Sequence, residues 1–206
     1  MNIRLYLPSI MRKRDEQKEQ SIRDQALDMI VELGFDGFSM QKLAKAAGVS
    51  PSTLYIYFKD REDLLLQLFI THSRGMTDAT LKNFDPQSSF SEGLKVQWMN
   101  RAHYCMEQPK VMQFLEQSRH SPLYEKAMFH LDPRFKEAMT LFMTNAIERG
   151  ELVEVPVEVY WSIAFAPLYN LVKFHLEGSF GNNHFVLTDE LMLVTLNLVL
   201  KALKPS

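Results

Sequence analysis

The sequence has one cysteine, Cys105, among 206 residues. No intrachain disulfide can form from it, and nothing points to an oxidising compartment. Eight glycines and nine prolines are too few for a turn-rich all-β protein, and long helices fit such sparse punctuation better. No apolar run is long: the greasiest stretch, Tyr160–Val172, covers 13 residues and contains Ser162, Pro167 and Asn170. A membrane-spanning helix needs roughly 18 or more apolar residues. The first residues, Met-Asn-Ile-Arg-Leu-Tyr-Leu-Pro, offer too short an apolar stretch for a signal peptide. The chain is therefore expected to be cytoplasmic, with no membrane partner.

Catalytic signatures are missing too. There is no Gly-x-Ser-x-Gly elbow, phosphate loop or dinucleotide fingerprint. His103 and Cys105 lie two apart, so they diverge on a helix, and the other histidines lack i, i+4 partners. No metal, cofactor or enzymatic activity is expected. A helical enzyme for an apolar substrate would need a nucleophile or paired carboxylates in the apolar part of the chain, and none stands out. Cys105 alone reads as a buried, inert thiol more readily than as a redox sensor.

What is present is helical periodicity. Hydrophobic residues make up 46% of the chain and charged ones 23%, a balance that supports a folded core rather than disorder. Ile22, Ala26, Met29, Ile30 and Leu33 share one face of a helix expected over about 16–33, with Gly34 placed to end it. Ser39 caps a short helix, Met40–Ala47, that stops at Gly48, and Ser50 caps a second, with Pro51 at its first position. Asp60 caps a longer fourth helix reaching about Asn83. Beyond the Phe84–Ser89 loop, helices are expected over about 90–107, 109–119, 124–149, 156–177 and 188–203. Pro133 is positioned to split the third of these, and Pro167 to kink the fourth. No segment alternates like a strand. The expected class is all-α, with about nine helices.

The net charge of −2 gives no hint of nucleic acid, but its distribution does. From Gly37 to Arg61 there are four basic residues, Lys42, Lys45, Lys59 and Arg61, against one acid, Asp60, and Arg12, Lys13 and Arg14 form a second basic cluster. Such a face suits a phosphate backbone, although a merely solvated surface reads the same way. Within it, Leu43, Ala44 and Ala47 face inward, small enough for helices to approach closely, and Gly48 supplies the positive φ of a tight turn. Val49, Leu54 and Phe58 complete a small core. Ser52, Thr53, Tyr55, Ile56 and Tyr57 are left mostly outside. Two tyrosines and an isoleucine are odd on a solvent face but sensible on one that enters a major groove. Tyr55 and Phe58 also admit a core reading, favoured for Phe58.

The stretches Ala26–Phe35, Ser39–Ala44, Ala47-Gly48-Val49-Ser50, Leu54-Tyr55-Ile56-Tyr57-Phe58 and Arg61-Glu62-Asp63-Leu64 resemble, in order and spacing, the tetracycline-repressor (TetR) family. The rest of the chain resembles it only in length and helical pattern. The resemblance implies a helix-turn-helix DNA-binding head, residues 12–63, on a ligand-binding and dimerisation body, residues 64–206. It points to Pro51, Ser52, Thr53 and Ile56 as base readers. Gln41 matches another such position, where an amide can pair with adenine. Tyr55, Tyr57 and Lys59 match phosphate-gripping positions, and Lys42 joins them as part of the basic run. Arg61 stands where the family usually has lysine and still suits a phosphate. Ile56 is atypical and would favour thymine methyls. The function implied is a ligand-responsive repressor, bound as a homodimer to a palindromic double-stranded operator.

Two features of the body bear on that reading. The last helix is apolar nearly all round, so both sides need covering; Leu191, Val194 and Leu198 are the expected dimer contacts, since the family usually pairs its last two helices. The body is also rich in methionine and aromatics, which suits an adaptable pocket for a small apolar or aromatic effector. Trp98, Tyr104, Phe142, Asn145, Phe165 and Tyr169 are the candidate lining, though for any single aromatic among them plain core is the favoured reading. His103, His120, Asn170 and His175 could orient a ligand, and nothing selects among them. A DNA-binding architectural dimer without an effector remains the alternative.

Overall fold

Capping and turn chemistry divide the chain much as the spacing predicts. The computed structural model describes residues 7–181 and 183–205, with side chains from Asp15 onward except that of Phe180. Residues 1–6, part of the stretch expected to be too short for a signal peptide, lie outside the described residues, as do the side chains of Arg12, Lys13 and Arg14. The described residues form eleven helices: α1 (Leu7–Gly37), α2 (Met40–Ala46), α3 (Pro51–Tyr57), α4 (Arg61–Leu81), α5 (Phe90–Glu107), α6 (Pro109–Arg119), α7 (Leu123–Met128), α8 (Pro133–Glu148), α9 (Val157–Ala164), α10 (Ala166–Glu177) and α11 (Asp189–Leu203). Among the described residues the fold is all-helical apart from one antiparallel pair of two-residue strands, Ser179–Phe180 with Asn183–His184, which sequence alternation does not reveal. Among the described residues no helix is long and apolar enough to cross a membrane.

Three boundaries differ from expectation. The first helix begins at Leu7 rather than near Glu16, and Gly34, at φ 71° and ψ 174°, interrupts it before its last turn. The 124–149 segment is two helices. Pro133 forces Asp132 into extended backbone (φ −64°, ψ 119°), from where its carboxylate caps α8 by accepting from Arg134 N. The 156–177 segment is also two helices, separated at Phe165 (φ −124°, ψ −26°), because Pro167 has no N–H to carry the ladder through. The break falls beside Ala164, whose carbonyl accepts the indole N–H of Trp98 at 2.7 Å. A fully buried Trp thereby satisfies a carbonyl at the interruption.

The chain forms two compact units, and the division falls within α4. Of the described residues the first holds 7–72 and 110–131, so the expected 12–63 head is part of a larger unit that includes α6 and α7. Its core combines Ile22, Ala26 and Ile30 of α1 with Leu43, Leu54, Phe58, Leu64, Leu68 and Phe114, all buried. Phe114 packs against Phe35 and His72 with ring centroids 6.0 and 5.9 Å apart. Burial lowers the pKa of His72, keeping the imidazole neutral in this apolar setting.

Of the described residues the second unit holds 73–109, 132–181 and 183–205. Phe142 stacks on Phe90 at 5.7 Å and meets Phe84 edge-on at 5.1 Å. Gly93 permits this: a Cβ there would come within 2.3 Å of the Phe142 ring, closer than packed atoms tolerate. α11 buries Met192, Leu196, Val199 and Leu203 against this unit. Its opposite side carries Leu191, Val194 and Leu198, exposed by 41%, 54% and 61%.

Candidate nucleic-acid interface

The α2–α3 pair is built by local chemistry. Ser39, in extended backbone, caps α2 by accepting from Lys42 N at 3.3 Å. The turn out of α2 closes with two backbone bonds, Val49 N to Ala44 O at 2.9 Å and Gly48 N to Lys45 O at 3.3 Å. This is the paired pattern of a helix ended by a left-handed residue. Gly48 sits there at φ +64°, where a side chain would strain the turn. Ser50 then caps α3, accepting from Thr53 N at 3.2 Å, and Pro51 occupies the first turn, where no N–H is needed. Asp60 performs the same service for α4 through Asp63 N at 2.9 Å.

α3 turns Leu54 inward and buries it, while Tyr55 and Ile56 stand out, exposed by 55% and 74%. Pro51 and Ser52 are exposed with them, and Thr53 is half-buried. The Ser52 and Thr53 hydroxyls lie 2.8 and 2.9 Å from Ser50 Oγ, forming a small polar cluster at the start of α3. Gln41 and Lys42 are exposed on α2, and Lys59 and Arg61 follow α3 on the surface. Phe58 is core, as its favoured reading held, and Tyr55 is not.

Several of these side chains already have partners. Lys42 Nζ donates to Gly37 O at 2.8 Å, and Arg61 Nη2 donates to Phe35 O at 2.5 Å with its guanidinium 5.7 Å from the Phe38 ring. Both cations thus bind carbonyls at the end of α1, where helix ends leave acceptors free. The Tyr57 hydroxyl donates to Asp15, and that bond, with some burial, raises the phenol pKa to about 12.

Beneath the surface runs a polar network that the sequence does not announce. Arg23 lies over the Phe58 ring at 5.0 Å and donates to Glu19 at 2.7 Å and to Gln67 at 2.5 Å. Gln67 donates in turn to Asp63, whose same carboxylate oxygen accepts from Lys59 N at 2.8 Å. Residues up to 44 apart in sequence thereby fix the end of α3 against α1 and α4. Only the helical spacing of Arg23 beside Ile22 and Ala26 could have hinted at it.

The six residues considered as effector lining do not form one group. Trp98 supports the break at Ala164. Phe142 packs among Phe84 and Phe90, while Asn145 donates to Pro86 O at 3.1 Å, holding the 84–89 loop. Tyr104 is half-buried, with its hydroxyl against Gly75. Phe165 and Tyr169 do meet, at Arg101. Of the other polar candidates, His103, His120 and Asn170 are exposed, and His175 Nδ1 accepts from Leu187 N at 3.3 Å.

Two capped helices joined by a glycine turn, the second presenting an uncovered apolar and hydroxylated face, define a helix-turn-helix DNA-binding protein. The family profile for bacterial regulatory proteins of the tetR family matches residues 22–68. An HTH-type transcriptional regulator of Haemophilus influenzae is 30% identical over 141 residues, covering 68% of this chain and 73% of that protein. The crystal structure of a TetR family transcription regulator from Marinobacter aquaeolei VT8 superposes with a TM-score of 0.73 at 30% identity, covering 95% of this chain and all of that one. The Bacillus subtilis regulator FadR, in complex with stearoyl-CoA, shares the fold at a TM-score of 0.67 and 20% identity, over 90% of this chain and 99% of that one. The chain belongs to the TetR family and is a transcriptional regulator with a helix-turn-helix DNA-binding domain.

Proposed function

We propose that the protein acts in the cytoplasm as a homodimeric repressor. It holds a palindromic operator through α3 and releases it when a small effector binds the second unit. The observation that carries the DNA contact is the outward face of α3, where Ile56 and Tyr55 stand uncovered beside Pro51 and Ser52. Ile56 suits a thymine methyl, and Gln41 and Ser52 can bond base edges. Thr53 joins them once its hydroxyl turns from Ser50. Tyr55, Tyr57, Lys59, Lys42 and Arg61 contact phosphates. Dimerisation through α10 and α11 sets two copies of α3 about one DNA turn, roughly 34 Å, apart. The apolar stripe of α11 supports that pairing, and the stearoyl-CoA bound by the Bacillus subtilis relative supports an effector with an apolar body.

Titration of the full chain with its operator, found by selection from random duplexes, tests the reading. Ile56→Ala is expected to relax sequence preference at one position per half-site, costing ~1–3 kcal/mol on the preferred sequence. Arg61→Ala is expected to weaken all sequences alike and flatten the salt dependence. It also removes one of the two donors to the Phe35 carbonyl, leaving Phe38 N, so affinity is compared below the melting range of both proteins. An unchanged salt slope removes Arg61 from the phosphate contacts.

Asp15 supplies a second test. Its carboxylate holds the Tyr57 hydroxyl and sets a negative charge beside the surface offered to phosphate. Asp15→Ala, which removes both the charge and the acceptor, is expected to free the phenol and tighten operator binding by roughly 3- to 10-fold at low salt, less at high salt. The linkage also has a sign. The raised Tyr57 pKa makes the bond a stabilising one below the ordinary phenol pKa, lost as pH rises through about 12. It is therefore intact at neutral pH, and only the substitution releases it. Equal affinities for the two proteins count against Tyr57 as a phosphate contact.

A further inference from the structure

On α5 the buried face repeats at helical spacing through Leu94, Trp98, Ala102 and Cys105, and it includes a charge: Arg101 is 3% exposed. Its guanidinium lies over the rings of Phe165, Phe135 and Trp161, at 4.5, 5.1 and 5.2 Å. Its two hydrogen bonds, to Tyr169 Oη at 2.8 Å and Gln97 Oε1 at 3.2 Å, go to neutral acceptors. Nε is buried with no acceptor, and among the described residues no carboxylate pairs with Arg101. A buried lysine could shed its proton, but a guanidinium does not. The charge therefore stays, and ring faces replace only part of its lost hydration.

A second orphan lies in the same field. The Tyr160 hydroxyl is buried with no partner. Burial raises its pKa while the Arg101 charge opposes the rise. Cys105 feels the same two influences, and burial prevails, pushing the thiol up to about 12. Neither phenol nor thiol ionises near neutral pH, so neither neutralises Arg101. Two unsatisfied donors, one fixed positive charge and aromatic walls have a complement: a singly charged acceptor on an apolar body.

We infer that Arg101 and Tyr160 receive the carboxylate of a small apolar acid, with Phe135, Trp161 and Phe165 around its body. This rests on the effector reading above and gives that effector its chemical class. A carboxylate fits better than a phosphate monoester because one negative charge balances one guanidinium, whereas a phosphate of about −1.5 to −2 leaves surplus charge buried.

Matched acid and amide pairs, decanoate with decanamide and 2-naphthoate with 2-naphthamide, test the inference on the full chain by calorimetry and thermal melting at neutral pH. The acids are expected to bind wild type roughly 100-fold more tightly than their amides. Arg101→Met is expected to abolish that preference without lowering the melting temperature of the ligand-free protein, since it removes an uncompensated buried charge. Tyr160→Phe is expected to weaken the acids alone. Acids and amides binding alike in wild type and Arg101→Met overturn the inference while leaving the effector reading intact. No binding by either acid overturns it as well, as does an Arg101→Met protein that melts well below wild type, since the arginine is then a structural cation. The effector reading fails separately, when no compound that binds the protein weakens its hold on DNA.

Discussion

Leu198→Glu is expected to turn the protein into a folded monomer that no longer holds its operator. In the single chain Leu198 is 61% exposed, and Leu191 and Val194 lie on the same side of α11. A carboxylate there meets water, so the fold of the second unit loses little. In a two-fold dimer the same patch lies on both sides of the interface, so the substitution enters it twice. Burying an unpaired carboxylate costs several kcal/mol per ion, in addition to the ~1.5–3 kcal/mol lost with each buried leucine. Together these exceed what an interface centred on one helix pair can absorb. Operator affinity then falls by about 10²–10⁴, because the second α3 no longer binds as part of the same molecule. Light scattering at micromolar concentration, circular dichroism and operator titration check the three parts. A Leu198→Glu protein that remains dimeric and binds operator as wild type does would sink the interface.

The head was readable in the sequence because its structure is local. Ser39 and Ser50 cap within three residues of themselves, and Gly48 closes its turn through Ala44 and Lys45. Each needs only a residue type at a spacing. The features that were not readable join distant residues. The Arg23–Gln67–Asp63 chain, the Tyr57–Asp15 bond and the inclusion of α6 and α7 in the first unit all depend on packing that no spacing encodes. Arg101 was overlooked for a related reason. Its position falls on the apolar stripe of α5, but charged residues are almost never fully buried, so its type argued against its place. Trp98 went the other way: it read as a ligand contact by type, yet its partner is the Ala164 carbonyl, 66 residues later, beside the break that Pro167 makes.

Phe58→Ala tests whether the recognition helix depends on the network beneath it. The Phe58 side chain is fully buried, in contact with the Arg23 guanidinium on one side and with Tyr57 at 6.2 Å on another. Truncating a buried Phe costs ~3–5 kcal/mol, depending on how well the site collapses. Here collapse is hindered, because Arg23 is tied to Glu19 and Gln67 and cannot swing into the space. Its Nη1 is already buried without an acceptor, and losing the ring face removes a further ~0.5–2 kcal/mol of attraction. Against a total stability of ~5–15 kcal/mol for a domain, the first unit is left marginal. Melting is expected to fall by more than about 10 °C, and operator binding to disappear at temperatures where wild type still binds. Phe58→Leu keeps most of the volume, loses ~1.5 kcal/mol or less, and is expected to bind operator below its own melting range. A double-mutant cycle with Arg23→Ala then isolates the pair: a coupling of about 0.5 kcal/mol or more places Arg23 and Phe58 in one cooperative element. Strict additivity, or a Phe58→Ala protein that melts like wild type, means that α3 is held by its own turn and caps alone.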